Sequence, residues 1–512
     1  MRAERACSST KFMRMVTFGL STMLLVALEY GAPAAAQAPP KEWSTDHTIR
    51  IGGRSVSYKA VASLTPITDE RGTQRASIFS VEYTQSDTKD PSERPITFLY
   101  NGGPGMSSVW LHLGTFGPRR VVTTEAAATP PAPYKLADNP YCLLDRTDLV
   151  FIDPVGTGLS RAVAGAQDRD FWGVDQDVKA FADFISGYLR RHDRWNSPKF
   201  LIGESYGSFR SAALANYLYS QDAIQINGIV LISPVLDLST IAPFNPSADL
   251  PCILSLPTYA AVAWYYKRVA DPPAVLENFL TQARQFAVGD YAAALREGWR
   301  LTDREKSSVA KTLAHFTGLK EEYLNQANLR VSPQQFATEF EGGRGLRIGT
   351  YDARFSSSKD DLPSEGIQYD PSYSAVSGAF TSAMNSYLRD DLKVAEDSAY
   401  RVVSIDASSN WDWKRSSPSA IPVSPNVKED LTRAMIANPY LQVQIENGYF
   451  DLVAPFFATE YTLDHLSLPR DSGVKAIHEK YYEAGHMMYL REKELARLKE
   501  NVASLIDAAS RQ

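Results

Sequence analysis

A serine, a histidine and an acid perform acyl transfer only if the chain brings them to one point. Gly203-Glu204-Ser205-Tyr206-Gly207 puts a serine in a G-x-S-x-G pattern. The apolar run Phe200 to Ile202 precedes it, and the helix-forming run Ser211 to Tyr219 follows. Strand, sharp turn and helix in that order are the setting of a nucleophile elbow, with glycines where a side chain would crowd the turn. A serine hydroxyl is hardly ionised at neutral pH and needs a base. His486, in Tyr482-Glu-Ala-Gly-His-Met-Met488, follows the last candidate strand. Asp451, in Asn447-Gly-Tyr-Phe-Asp451, follows the strand before it. Ser205, Asp451, His486 is also the chain order that goes with this elbow. His486 would take the serine proton and pass one to the leaving group, while Asp451 would fix the imidazole tautomer. Asp464 is the rival acid, but it lies further from the strand end and inside a helical pattern. His47, His112, His192, His315, His465 and His478 have no comparable setting and read as surface or packing residues.

A tetrahedral intermediate needs an oxyanion hole. Asn101-Gly-Gly-Pro-Gly105 directly follows the apolar run Ile96 to Tyr100, and adjacent glycines let backbone N–H groups approach an oxygen. The expected donors are the N–H groups of Gly103 and of Tyr206, the residue after the nucleophile. Asp153-Pro-Val-Gly-Thr-Gly-Leu-Ser160 has neither the G-x-G-x-x-G spacing nor the lysine of a phosphate loop, so it reads as a structural turn beside the site. No H-E-x-x-H or Cys/His cluster occurs, so neither a metal nor a cofactor is expected.

The elements that must position these residues are short apolar runs: Ile96 to Tyr100, Leu149 to Ile152, Phe200 to Ile202, Ile229 to Ile232 and Leu441 to Ile445. Val474 to Tyr482 is more polar and reads as a strand nearer an edge. Helical patterns lie between several of them, most clearly Asp175 to Leu189. The alternation predicts an α/β fold, with a mainly parallel central sheet and helices on both faces. Upstream, His47 to Thr84 alternates apolar and polar residues, as antiparallel strands do, with a turn at Asp69 to Gly72. Gln37 to Ser44 reads as a mobile lead-in. From Ile241 to Asp370 the pattern becomes helices and loops: Tyr259 to Val269, Pro273 to Phe286, Tyr291 to Gly298, Asp303 to Thr317 and Lys320 to Ala327. Asp360 to Tyr373 is loop-like, Ala375 to Tyr400 is helical again, and Val427 to Ala437 leads back to the sheet. The expected organisation is a core over 37–240 and 401–512 with a mostly helical cap inserted over 241–400.

The chain has 512 residues, 44% hydrophobic and 22% charged, with a formal net charge of −6. These are globular values, and without a basic stripe no nucleic-acid partner is expected. Arg2, Arg5, Lys11 and Arg14, the apolar stretch Met15 to Leu28 and the small residues from Ala32 have the layout of a signal peptide over 1–36, cleaved after Ala36. The mature protein is then secreted or periplasmic, without stable membrane association. Cys142 and Cys252 remain after cleavage, as one disulfide or two thiols.

Together the motifs resemble the serine carboxypeptidases, the family of carboxypeptidase C and cathepsin A. Asn101-Gly-Gly-Pro-Gly-Met-Ser-Ser108 is similar to the family's N-G-G-P-G-C-S-S, and Asp153 to Ser160 to its P-V-G-T-G-x-S segment. Gly203-Glu-Ser-Tyr-Gly207, Gly448-Tyr-Phe-Asp451 and Ala484-Gly-His-Met487 match G-E-S-Y-G, G-x-x-D and A-G-H-M. The resemblance implies an α/β-hydrolase that releases a terminal amino acid from a peptide or protein with a free C-terminus. It also implies that Asn101, Gly102 and Glu204 bind the substrate's terminal carboxylate, with Glu204 protonated and its pKa raised by burial. Two positions depart from the pattern. Thr115 stands where a second glutamate is usual, and Met106 where a cysteine is; the thiol-poor pattern resembles the family's bacterial branch. Thr115 leaves an esterase or acyltransferase as the alternative. A non-catalytic binding protein on a hydrolase scaffold is a second alternative, against which the complete Ser205, Asp451 and His486 set argues.

Overall fold

Apolar runs of four or five residues without a polar face form strands that are covered on both sides. The computed structural model describes residues 39–163, 165–241, 248–359, 369–415, 424–469 and 476–511. The core strands in it are β1 (Lys41–Ile51), β2 (Arg54–Thr68), β3 (Gln74–Gln85), β4 (Ile96–Tyr100), β5 (Asp148–Ile152), β6 (Lys199–Glu204), β7 (Gly228–Ile232), β8 (Gln442–Gly448) and β9 (Ile477–Tyr482). They form one sheet in the order β1-β2-β3-β5-β4-β6-β7-β8-β9, and a short strand, Arg161–Ala162, also pairs with β3. From β5 to β9 every pairing is parallel. The first three strands join in antiparallel fashion.

Side chains along a strand point alternately to its two faces. Phe98, Tyr100, Leu201, Ile229 and Leu231 therefore enter one core with α1 (Val174–Arg191) and α2 (Tyr206–Asp222). Leu99, Phe200, Ile202, Val230 and Ile232 enter a second core with the helices Pro371–Ser386 and Glu492–Ala509. In α1, Asp175 and Asp177 occupy the first turn and Arg190 and Arg191 the last, as the helix dipole favours. A parallel sheet sandwiched by helices, with a strand–turn–helix at Ser205 near its centre, is the α/β-hydrolase fold.

Between β7 and β8 the described chain is mostly helical, over Asp249–Tyr265, Leu276–Phe286, Ala292–Glu297, Asp303–Thr317, Glu321–Gln326, Pro333–Glu339 and Pro371–Ser386. Five details differ from the sequence reading. Lys41 to Ser44 is no mobile lead-in, because a backbone ladder to Val61–Leu64 makes it strand. The helix expected from Tyr259 begins at Asp249: Pro251 sits in its first turn, where no N–H is needed, and burial from Leu254 to Ala263 outweighs the bond lost at Pro257. A small hairpin, Leu346–Ile348 with Ser356–Ser358, interrupts the helices. The helix expected to reach Tyr400 ends in a π turn, Tyr387–Asp391, after which Lys393 has φ +56°. The C-terminal helix Glu492–Ala509 was not foreseen.

The expected signal peptide and most of the loop over 360–373 lie outside the described residues. Among the described residues, no helix is long and apolar enough to cross a membrane.

Candidate active site

Strand register brings the candidate residues to one edge. Tyr100 pairs with Gly203, Glu204 with Ile232, Ile232 with Glu446, and Gly448 with Tyr482. The residues just past these ends are Asn101, Ser205, Asp451 and His486, so four loops meet at the carboxyl ends of adjacent parallel strands. Open α/β sheets build their sites at this edge.

Ser205 has φ +60° and ψ −126°, a conformation that non-glycine residues rarely adopt. Its N–H is anchored to the Ile232 carbonyl at 2.9 Å. The turn is as tight as its glycines suggest: a β-carbon on Gly203 would stand 2.1 Å from the Gly207 carbonyl oxygen. His486 Nδ1 lies 2.6 Å from Asp451 Oδ2, with both side chains buried. Asp451 also accepts from the N–H groups of Val453 and Ala454 at 2.8 and 2.9 Å through Oδ1. Burial pushes the Asp451 carboxyl up, and His486 and those N–H groups oppose the rise. Burial alone would lower the imidazole, but the Asp451 carboxylate outweighs it and His486 is raised overall. Among the described residues, no hydrogen bond closes between Ser205 Oγ and His486, which line the same cavity. Such contacts commonly tighten only when substrate binds. The rival Asp464 ends the helix Phe456–Asp464 and is exposed, whereas the buried imidazole is bonded to Asp451.

That cavity has about 360 Å³ of empty space. Asn101, Gly102, Gly103, Glu204, Ser205 and His486 contribute to its lining, as do the largely apolar Met106, Trp110, Tyr351, Tyr373 and Met487. Tyr206 does not line it, but a β-carbon on Gly102 would sit 2.4 Å from the Tyr206 nitrogen. The Gly102-Gly103 backbone therefore lies directly against the elbow. No backbone carbonyl among the described residues accepts from the N–H of Gly103 or of Tyr206.

Glu204 is 3% exposed. Its Oε2 accepts from Asn101 Nδ2 at 2.8 Å, and the Tyr489 hydroxyl reaches both carboxyl oxygens, at 3.1 and 2.9 Å. Burial raises its pKa to about 7, and His486, Tyr489 and Asn101 hold it from rising further. Thr115 does not join this group; its hydroxyl donates to the Leu111 carbonyl at 2.5 Å, inside the π turn His112–Phe116.

Supports surround these loops. The buried Arg210 donates through Nε to Asp177 at 2.6 Å and through Nη1 to the Asn101 carbonyl at 2.8 Å, with its guanidinium over Phe181. Asp153 Oδ1 accepts from the N–H and hydroxyl of Ser108 at 2.8 and 2.7 Å, so the Asp153 to Ser160 turn ties down the glycine loop. The segment Thr350–Arg354 bridges the other two loops. The Thr350 and Phe450 carbonyls accept from Leu452 and Ala353 at 2.9 and 3.0 Å. The Tyr351 carbonyl accepts from the His486 N–H at 2.6 Å, and Asp352 Oδ2 accepts from Gly485 at 3.1 Å. Arg354 holds Asp352 in turn, at 2.6 Å.

Sequence reasoning missed Tyr489, Arg210 with Asp177, and the Thr350–Arg354 segment. Tyr489 follows His486 by three residues and was within reach of the same motif; the others carry no local signal. Cys142 and Cys252 are free thiols, the first fully buried. No cluster of potential metal ligands occurs among the described residues.

The profile of the serine carboxypeptidase family matches residues 74–501. The chain is 27% identical over 160 residues to Serine carboxypeptidase-like 33 of Arabidopsis thaliana, a match over 29% of this chain and 32% of that protein. It is 30% identical over 161 residues to Pheromone-processing carboxypeptidase KEX1 of Saccharomyces cerevisiae, over 30% of this chain and 21% of that protein. The matched part thus spans less than a third of the length of either relative. Among solved structures, Kex1Δp, a prohormone-processing carboxypeptidase from Saccharomyces cerevisiae, superposes with a TM-score of 0.56 at 19% identity, covering 88% of this chain and 91% of that one.

Proposed function

The chain belongs to the serine carboxypeptidase family, and from that premise we propose that it is an exported serine carboxypeptidase that removes C-terminal amino acids through an acyl-enzyme. Ser205 Oγ attacks the last peptide carbonyl as His486 Nε2 takes its proton. Asp451 on Nδ1 holds the tautomer and stabilises the imidazolium. The N–H groups of Gly103 and Tyr206 receive the oxyanion. The imidazolium then protonates the leaving amine, and water activated by the same imidazole releases the shortened peptide. Asn101, Gly102 and Glu204 hold the terminal carboxylate of the leaving residue. The mostly helical stretch over 241–400 forms a cap on the 37–240 and 401–512 core.

The observation that carries this reading is the buried Glu204 carboxyl beside Ser205 in one cavity, with a pKa of about 7. Such a group keeps a proton in mildly acidic solution and can donate it to a substrate carboxylate. The disposition of Thr115, turned to its own helix, favours a second reading, an esterase or acyltransferase on the same machinery. One experiment separates them: a peptide with a free C-terminus, its C-terminal amide and a small ester are offered to the protein. Release of one residue from the free acid alone supports the carboxypeptidase. Ester turnover without peptide cleavage overturns it. If a fluorophosphonate fails to label Ser205, the protein is a binding scaffold.

A further inference from the structure

Glu204 is gripped from two sides. Asn101 Nδ2 donates to Oε2 at 2.8 Å, and Tyr489 approaches both oxygens, at 3.1 and 2.9 Å. Tyr489 is 3% exposed and sits on the turn Met488–Leu490, just after His486. It does not line the cavity, so it meets Glu204 from behind. Its ring lies against Gly114: a β-carbon there would stand 2.6 Å from the ring edge, with Phe380 at 3.4 Å. Only glycine at 114 leaves room for the ring in this position, and the neighbouring Thr115 hydroxyl is occupied with Leu111.

We propose that Tyr489 is a positioning residue: its phenol, seated in the space left by Gly114, aims the Glu204 carboxyl at the substrate's terminal carboxylate and sets the pH above which that recognition fails. This rests on the reading of Glu204 given above. Burial keeps the phenol protonated far above neutral pH, so towards an ionised Glu204 it acts as a donor. A donor favours the ionised form, whereas a second carboxyl in the same place would disfavour it. Tyr489 therefore draws the upper pH limit down. The other groups facing Glu204 are Asn101, which acts in the same sense, His486, which lowers its pKa, Asp451, which raises it, and the Tyr351 phenol. None of them takes the place of Tyr489.

The test is the pH dependence of kcat/KM for a free-acid peptide divided by that for a small ester, which cancels the ionisation of His486. In the unaltered protein this ratio falls at alkaline pH. In Tyr489→Phe, which keeps the ring packing, the midpoint of the fall moves up by about one pH unit, the effect expected when a charged carboxylate loses one buried donor. Fluorination of the Tyr489 ring, which makes the phenol a stronger donor, moves it down and guards against a phenylalanine variant that fails to fold. A midpoint that stays in place in both variants while the ester is still turned over overturns the role of Tyr489. A ratio already flat with pH in the unaltered protein overturns the reading of Glu204 and this inference with it.

Discussion

Replacing Glu204 with glutamine is expected to remove the upper pH limit on free-acid peptides while leaving ester hydrolysis nearly unchanged. Burial lifts this carboxyl from 4.5 to about 7. Only the protonated form has a hydrogen to give a substrate carboxylate. With a midpoint near pH 7, about one carboxyl in eleven is protonated at pH 8 and about one in a hundred at pH 9. Activity on the free acid should therefore fall roughly tenfold from pH 6 to 8 and tenfold more by pH 9. Glutamine places a non-titrating N–H at the same point, and its oxygen can still accept from Asn101 and Tyr489. The Glu204→Gln protein should thus hold a level free-acid rate over this range, somewhat below the unaltered enzyme at pH 6 and above it at pH 9. The assay is the initial rate of amino-acid release from a blocked dipeptide, read beside a small ester at each pH. If the glutamine protein keeps the same fall between pH 6 and 9, the limit belongs to another group and Glu204 does not recognise the carboxylate.

Asp451→Asn leaves the loop in place but loses the acceptor that fixes the imidazole tautomer, so kcat on any substrate is expected to drop by ~10⁴ with KM little changed. Arg210→Ala strands the Asp177 carboxylate in the core and is expected to destabilise the fold by ~3–5 kcal/mol, read by urea denaturation, whereas Arg210→Met with Asp177→Leu should recover most of the loss. An Arg210→Ala protein as stable as the unaltered one would refute that account. Glu82, Glu204 and Glu446 are each raised from 4.5 to about 7 by burial, so folding is aided by their protons below about pH 4.5 and that aid is lost as pH rises through 7. The denaturation midpoint is expected to be lower at pH 8 than at pH 5, and a higher one would contradict the burial argument.

The candidate site was legible in the sequence to the extent that its residues adjoin strand ends. Ser205 and Asp451 each follow a short apolar run and His486 a more polar strand-like one, and register then decides that the run ends lie side by side. Glu204 and Asn101 received their expected role only from the family resemblance, since a glutamate inside G-x-S-x-G carries no signal of its own. What could not be read depends on approaches between distant stretches. Tyr489 matters only because Gly114 leaves space for its ring, and Arg210 only because α1 and α2 pack with Asp177 facing it. In the fold, the misreadings fall where local pattern and tertiary context disagree. Lys41 to Ser44 has a mostly exposed face and little hydrophobic signal, yet its backbone completes a ladder. Two prolines concealed the start of the helix Asp249–Tyr265, whose buried side chains override them. Ala375 to Tyr400 has helical composition throughout, but a left-handed residue at Lys393 stops the helix.

The bridge formed by Thr350–Arg354 bears on how this molecule can be re-engineered. These five residues belong to the stretch between β7 and β8, yet they grip the loops that carry Asp451 and His486. The stretch is therefore not a detachable module. A shortened chain built from the sheet and its flanking helices would keep the strands and lose the handhold on the loops of Asp451 and His486. A graft that exchanges the helices must retain or rebuild that handhold, because one short piece of chain holds both loops in place.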